Sequence, residues 1–380
     1  MARRYTYLSV NLGAPFLKIA DLNLTNVEWQ RLRNGAGTFR GTVKLPPPVS
    51  PDARIQCQLL REATDNGTTC IYVLRDNVPM GAWIVWGQNY NSDNQTIDIN
   101  GSELTSYFRR RIIEDVTGDL DVRVSYEGQP MYDAVADMVS KVNDIGLSLD
   151  VASGGPELPE TVPATDTAAE VAGTGWKGTD VKLVADAIDE LAAMEDGFDY
   201  RVDLVRIPGV GFERRFVLRE SLAEETGIVA KYGSTLSKFG VQRRGDVRSN
   251  DVIVVGGSDG DKRPYGRVTE ELFTPRLQTV VQSSDEADGD RLDAAAQAAM
   301  DASRTGEVLS FDVIEDGVDA VIGALYPGDR ARIVIPPHRD PWFCNGLDAT
   351  VPTLGFTVNV PDSGGRETLS LQIDEADLDG

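Results

Sequence analysis

The sequence predicts an α+β chain that is mostly β, with strand-rich segments at both ends and a helix-bearing segment between them. Three observations carry this. From Gly37 to Ile113, short alternating or β-branched runs are separated by turn formers. From Pro130 the apolar period changes from 2 to 3.6, and beyond Gly240 it returns to strands.

In the first segment the runs are TFRGTVKL, RIQCQLL, CIYVLRD, AWIVWGQNY and TIDINGSEL, separated by PPPVSP, TDNG, NVPMG and NSDNQ. Strands this short at this interval predict a barrel or sandwich. Asn66-Gly67 is the strongest hairpin signal, because a type I′ turn needs positive φ at both central residues. It predicts that RIQCQLL pairs with CIYVLRD. In that register Cys57 faces Asp76 and lies on the order of 20 Å from Cys70, too far for a disulfide. Cys57, Cys70 and Cys344 are therefore expected as free thiols.

The middle segment opens with PMYDAVADMVSKVND. Pro130 suits a helix start, Met131, Val135, Met138 and Val142 share a face, and Gly146 marks the stop. A second helix is predicted in GTDVKLVADAIDELAAMEDG, capped by Thr179, with Val181, Val184, Ile188 and Leu191 inward and Gly197 past its end. FDYRVDLV and RRFVLRE form a hairpin around Pro208 to Gly211. Between the helices, ASGGPELPETVPATDTAAEVAGTGWKG has no core-forming pattern and is expected as a long loop, either plainly exposed or ordered against a neighbouring subunit with Trp176 as its anchor. The last segment reads FGVQRRG, NDVIVVGG, YGRVTEEL, RARIVIPP, TLGFTVNVP and ETLSLQI as strands, interrupted by the alanine-rich helix DRLDAAAQAAMDASR.

At 380 residues the chain is long for one core and ample for two or three. No run of 18 apolar residues occurs, and MARRYTYLSVNLGAPF lacks a signal-type apolar region, so a soluble protein made in a cytoplasm is expected. The net charge of −23 is unevenly spread: residues 1–111 hold 13 Lys+Arg and 9 Asp+Glu, so the remainder carries nearly all the negative charge. An acidic surface keeps the chain soluble, and acidic faces lining a passage would let DNA cross without sticking.

Groups for catalysis are sparse, and no enzyme activity is expected. His338 is the only histidine, in the Pro-rich PPHRDPW, with Cys344 six residues downstream. One histidine and three dispersed cysteines do not supply a local zinc site. EDVTGDLD at 114–121 and SSDEADGD at 283–290 cluster oxygens without the spacing of a calcium loop. VVGGSDGDKRPYG at 254–266 lacks both nucleotide-binding glycine patterns and reads as a wide turn. No catalytic, cofactor or metal residue is assigned. Arg109, Arg110 and Arg111 follow Tyr107 and Phe108 and read either as a small nucleic-acid patch or, as the family resemblance described below implies, as an interface paired with an acidic adjacent subunit.

The strand running into a Pro-rich turn at 37–48, the strand, tight turn and apolar strand at 72–85, and the strand ending in arginines at 95–113 together resemble the first barrel of the tail hub or baseplate hub proteins of tailed bacteriophages. That family includes the late control D-type proteins. Pro327-Gly328-Asp329 before RARIVI, and NDVIVVGG, resemble its second barrel. The resemblance implies two small β-barrel domains, 1–103 and 241–380, bracketing an α+β insert, 104–240, with its long loop at 152–178. It further implies a minor tail protein: a structural homotrimer at the tail tip of the virion, assembled in the host bacterial cytoplasm, forming a pseudo-sixfold ring through which DNA passes. Its implied partners are the distal tail protein, the C-terminus of the tape measure protein and a central fibre or spike, with no stable nucleic-acid binding and no membrane. Two other readings stand beside it. One is a distal tail protein or another tail-ring component; the other is a carbohydrate-binding tail adhesin, for which Trp83, Trp86, Trp176 and Trp342 would be the platforms.

Overall fold

The computed structural model describes residues 4–14, 17–115, 117–126, 130–143, 147–152, 175–192, 197–243, 249–257, 263–270, 276–282, 289–304, 307–313, 321–362 and 367–374. The first part holds β1 (Tyr5–Asn11), β2 (Lys18–Leu22), β3 (Leu24–Leu32), β4 (Thr38–Lys44), α1 (Pro51–Glu62), β5 (Thr69–Arg75), β6 (Val78–Asn91) and β7 (Thr96–Glu103). A 3₁₀ turn, Leu104–Arg110, leads to β8 (Arg123–Ser125), α2 (Met131–Asn143), β9 (Leu149–Ala152), β10 (Gly175–Lys177), α3 (Val184–Ala192), β11 (Asp199–Ile207) and β12 (Gly211–Arg219). The last part holds β13 (Glu225–Lys231), β14 (Leu236–Arg243), β15 (Asp251–Val255), β16 (Tyr265–Thr269), β17 (Gln278–Gln282), α4 (Gly289–Arg304), β18 (Glu307–Val313), β19 (Arg330–Ile335), β20 (Leu347–Val360) and β21 (Thr368–Asp374).

Both ends of the chain join one large sheet. Its order is β14-β18-β21-β20-β3-β4-β7-β6-β5-β1-β2, with β19 pairing β20 and β13 pairing β19. The seam is antiparallel, from Gly355↔Leu32 to Val360↔Val27. The described pairing closes no barrel, yet both halves must curl. In the first half β2 and β3 stand at opposite ends of the strand order but are separated in sequence by Asn23 alone. In the second half β13 and β14 are the two ends, joined by a short turn with a Tyr232↔Leu236 bridge. Each half is built on a three-stranded antiparallel meander, β5-β6-β7 or β19-β20-β21, whose middle strand runs 14 residues.

A single apolar core runs through both halves. At the seam Trp29 lies 5.7 Å from Trp83 and 5.8 Å from Phe356, centroid to centroid, and Phe39 lies 5.7 Å from Trp83. All of β5 is buried because its two faces serve two cores: Ile71 and Val73 face this one, while Cys70, Tyr72 and Leu74 face a second, filled by α2, α3, β11 and β12. β15, β16 and β17 form a separate three-stranded sheet under α4, with a small core of its own.

The helix at 131–143 buries Met131, Val135, Met138 and Val142 as its spacing predicts, and β11 and β12 pair from Asp199↔Arg219 to Ile207↔Gly211. Three expectations are corrected. RIQCQLL is not a strand but most of α1, because Ser50 caps the helix, its Oγ accepting from the Ala53 amide at 3.1 Å, and Pro51 occupies the first turn. The hairpin preceding β6 turns instead at Asp76-Asn77, both with positive φ, 50° and 66°. The second helix begins at Val184, not after Thr179: Thr179 sits in a 3₁₀ turn, and Val181 is exposed with φ 55° rather than in the buried stripe. The three cysteines are free thiols, although the strand register from which this was argued does not exist. Gly146, most of the 152–178 loop, and parts of 114–121, 254–266 and 283–290 lie outside the described residues.

Candidate functional site

A cluster of the charged groups the fold buries lies where the first half, the middle segment and the second half meet. Arg31 continues the inward alternation of Val27 and Trp29 along β3, and Glu103 continues that of Ile97 and Ile99 along β7. Both are buried, with Arg31 Nε 3.4 Å from Glu103 Oε1. Arg31 Nη2 also donates to Asp203 Oδ1 and to the Val202 carbonyl on β11, each at 2.6 Å. Arg201 donates to Asp203 Oδ2 at 3.1 Å and to the Pro327 carbonyl at 3.1 Å, and its Nη1 lies 3.6 Å from Asp329 Oδ1. Both guanidiniums lie over the Tyr326 ring, at 5.7 and 4.7 Å. The Pro-Gly-Asp turn noted in the sequence is therefore one wall of this junction.

Two arginines face three carboxylates, and the environment brings the cluster towards neutrality. Burial pushes Glu103 up to about 7, although Arg31 and the amides of Gly37 and Leu32 limit the rise. Burial also raises Asp329. For Asp203 burial works against the charged form, but Arg31 and Arg201 outweigh it and hold its carboxyl below the usual range. The Gly328 backbone has φ 99°, and a Cβ there would stand 2.4 Å from Leu222 Cβ, so only glycine fits the turn.

A second buried arginine docks the other end of the middle segment. Arg214 on β12 donates to Tyr72 Oη at 2.8 Å and, through Nη1, to the carbonyls of Leu12 and Leu147 at 2.7 Å. These three acceptors are uncharged.

The sequence-predicted interface arginines lie at the end of the 3₁₀ turn that follows β7. Arg109 Nη2 is 3.6 Å from Asp189 Oδ2, Arg110 sits 5.3 Å over the Trp86 ring, and Arg111 reaches Glu114 at 3.2 Å. All three have partners within the chain, and Arg109 stays largely exposed. Trp176 lies in β10, paired with Val124 of β8.

Among the proposed carbohydrate platforms, Trp83 is excluded: it is fully buried and donates to the Gln30 carbonyl at 3.1 Å. Trp86 donates to Ser106 at 2.8 Å, while Trp342 is 52% exposed. His338 and Cys344 meet only through a backbone hydrogen bond, 3.2 Å from the His338 amide to the Cys344 carbonyl. Among the described residues no cluster of three His, Cys, Asp or Glu could hold a metal ion, and no helix is long and apolar enough to cross a membrane. Sequence reasoning missed Arg31, Glu103, Asp203, Arg201 and Arg214. The available signal was a charge placed on an apolar register, as at Arg31 and Glu103.

No protein-family model and no curated protein matches this sequence. Solved structures do match. The 43 kDa tail protein of prophage MuSo2 from Shewanella oneidensis is similar with a TM-score of 0.57 at 11% identity, covering 98% of this chain and 99% of that one. The tail protein from Neisseria meningitidis MC58 gives 0.55 at 14% identity, covering 98% and 97%. A chain of the half-lidded Francisella PdpA-VgrG complex gives 0.51 at 8% identity, covering 100% of this chain and 59% of that one. Over nearly its whole length, this chain has the fold of these two tail proteins.

Proposed function

We propose that this chain is a structural tail-tip hub protein of a long-tailed phage, three copies of which form a pseudo-sixfold ring that joins the tail tube to a central fibre or spike. The observation that carries the reading is the doubled architecture. Two curled half-sheets, each on a meander with a 14-residue middle strand, lie side by side in one chain. Three such chains present six comparable lobes, which is how a threefold assembly can meet a sixfold tube. Heterologous contacts that repeat around a closed ring suit this geometry.

In this reading the two halves act as the small barrels, 1–103 and 241–380, the second extended by β13 and β14 from residue 225, with the rest of 104–240 as the insert. The buried ionic junction serves to fix the insert against both lobes. The distal tail protein, the tape measure C-terminus and the fibre or spike are its neighbours, and the excess negative charge of residues 112–380 keeps passing DNA from adhering. Arg109, Arg110, Arg111 and Trp176 contribute to contacts between copies.

The test is the mass of the purified chain by light scattering with negative-stain class averages of the same fraction. A trimer with six lobes supports the hub; a hexamer points to a distal tail protein.

A further inference from the structure

The small sheet carries apolar side chains on both faces, mixed on the outer one with Asp251, Thr269, Gln278 and Gln282. Val252 and Val254 of β15 are buried against Leu292, Ala296 and Met300 of α4. Side chains alternate along a strand, and residues in register share a face. The opposite face therefore carries Ile253 and Val255 of β15, Val280 of β17, and Arg267 and Tyr265 of β16, by the registers Ile253↔Arg267, Val255↔Tyr265 and Ile253↔Val280. Tyr265 is 64% and Val280 59% exposed. All five residues of β17 are exposed. Other edges carry charge that discourages pairing: Lys18 and Asp21 on β2, Lys238 on β14. β17, with sequence QTVVQ, carries none.

Helix α1 has the matching peculiarity. Ala53, Cys57 and Leu60 turn towards its own half-sheet, while Ile55 and Leu59 lie about half a turn away at 100° per residue. Ile55 is 67% exposed, Leu59 40%, and Val49 just before the helix 87%. Asp52 and Glu62 flank this outer stripe and are exposed. On the small sheet the flanking charges are opposite. Arg267 and Arg276 both reach the buried Asp251, at 2.7 and 3.2 Å, and together outnumber it. The sizes agree: α1 is about 18 Å long at about 1.5 Å per residue, and each strand of the small sheet is about 17 Å at about 3.3 Å per residue.

We infer that α1 of one copy packs, through Val49, Ile55 and Leu59, on the outer face of the β16-β15-β17 sheet of a second copy. The contact completes a helix-sheet-helix sandwich with α4 and pairs Asp52 and Glu62 with Arg267 and Arg276. It is heterologous, linking the first lobe of one chain to the second lobe of the next. As the ring's contact surface it rests on the hub reading.

Ile55→Asp and Val280→Asp alter exposed side chains, so each should leave the melting of the separated chain unchanged and weaken association by about tenfold or more. A paired Ile55→Cys/Val280→Cys variant in a Cys344→Ser background should be joined chain to chain by a short bismaleimide, and neither single cysteine variant should be. A wild-type trimer whose Asp variants assemble normally, with no cross-link in the paired variant, overturns this contact and leaves the hub reading standing. A cross-link accompanied by twofold dimers or open filaments in class averages upholds the contact and defeats the ring. A wild-type chain that stays monomeric, with no cross-link, overturns the contact.

Discussion

Two buried arginines dock the same hairpin by different chemistry. Arg31 reaches β11 through carboxylates, lying between Glu103 and Asp203. Arg214, on the paired strand β12, reaches the first half through Tyr72 and main-chain carbonyls. The first arrangement depends on the protonation of its partners, whereas the titratable contacts of the second, Tyr72 and Cys70, are both raised by burial despite Arg214. One end of the middle segment is thus fastened in a pH-dependent way and the other is not.

Removing each cation breaks the comparison most directly. Arg31→Met leaves the buried Glu103 and the half-buried Asp203 with half their compensation, and should cost about 3–5 kcal/mol in urea unfolding. The loss should be larger at pH 8 than at pH 5, because Glu103 is the more ionised at pH 8. Arg214→Met strands the uncharged acceptors Tyr72 Oη and the Leu12 and Leu147 carbonyls and should cost about 2–4 kcal/mol. Its loss should be the same at both pH values; a strong pH dependence would show that a titrating group also serves this site.

Gly328→Ala tests the wall of the ionic junction without removing a charge. The new methyl would meet Leu222 Cβ at 2.4 Å in a backbone at φ 99°. A destabilisation of about 1–3 kcal/mol is expected. If the turn positions Asp329 for Arg201, the variant should also shift the pH dependence of unfolding.

Much of the fold was legible where a local rule and the tertiary context agreed. The α2 stripe and the β11-β12 hairpin each bury a face with the right period, so pattern and packing gave the same answer. Residues 54–60 show the opposite case. Their apolar positions suit either period, and Asn66-Gly67 favoured a hairpin, but Ser50-Pro51 fixed a helix and Gly67, at φ 71°, serves the turn that leaves it. At the junction, the register of Arg31 and Glu103 was readable as charge on an apolar face. Their meeting was not, because Arg31 and Asp203 are 172 residues apart and only the folded topology brings them together.

The smallest expected effect sharpens the comparison furthest. Glu103 has a folded pKa near 7, above its unfolded value of about 4.3, so between those limits the folded state binds more protons than the unfolded. Its contribution is fully present below about pH 4 and is lost as pH rises through 7. The raised Asp329 acts in the same direction, while the lowered Asp203 acts in the opposite direction only below the ordinary aspartate range. Glu103→Gln keeps an oxygen for the Gly37 amide, which now donates to Glu103 Oε2 at 2.8 Å, and removes the titration. Its net change at pH 7 should be small, within about 1 kcal/mol, since relief of a buried charge offsets the weakened partner of Arg31. Unfolding midpoints measured from pH 5 to 8 should then fall less steeply in the variant than in the wild type. An unchanged slope would mean that Arg31 keeps Glu103 ionised throughout, making the carboxylate-lined end as insensitive to pH as the Arg214 end.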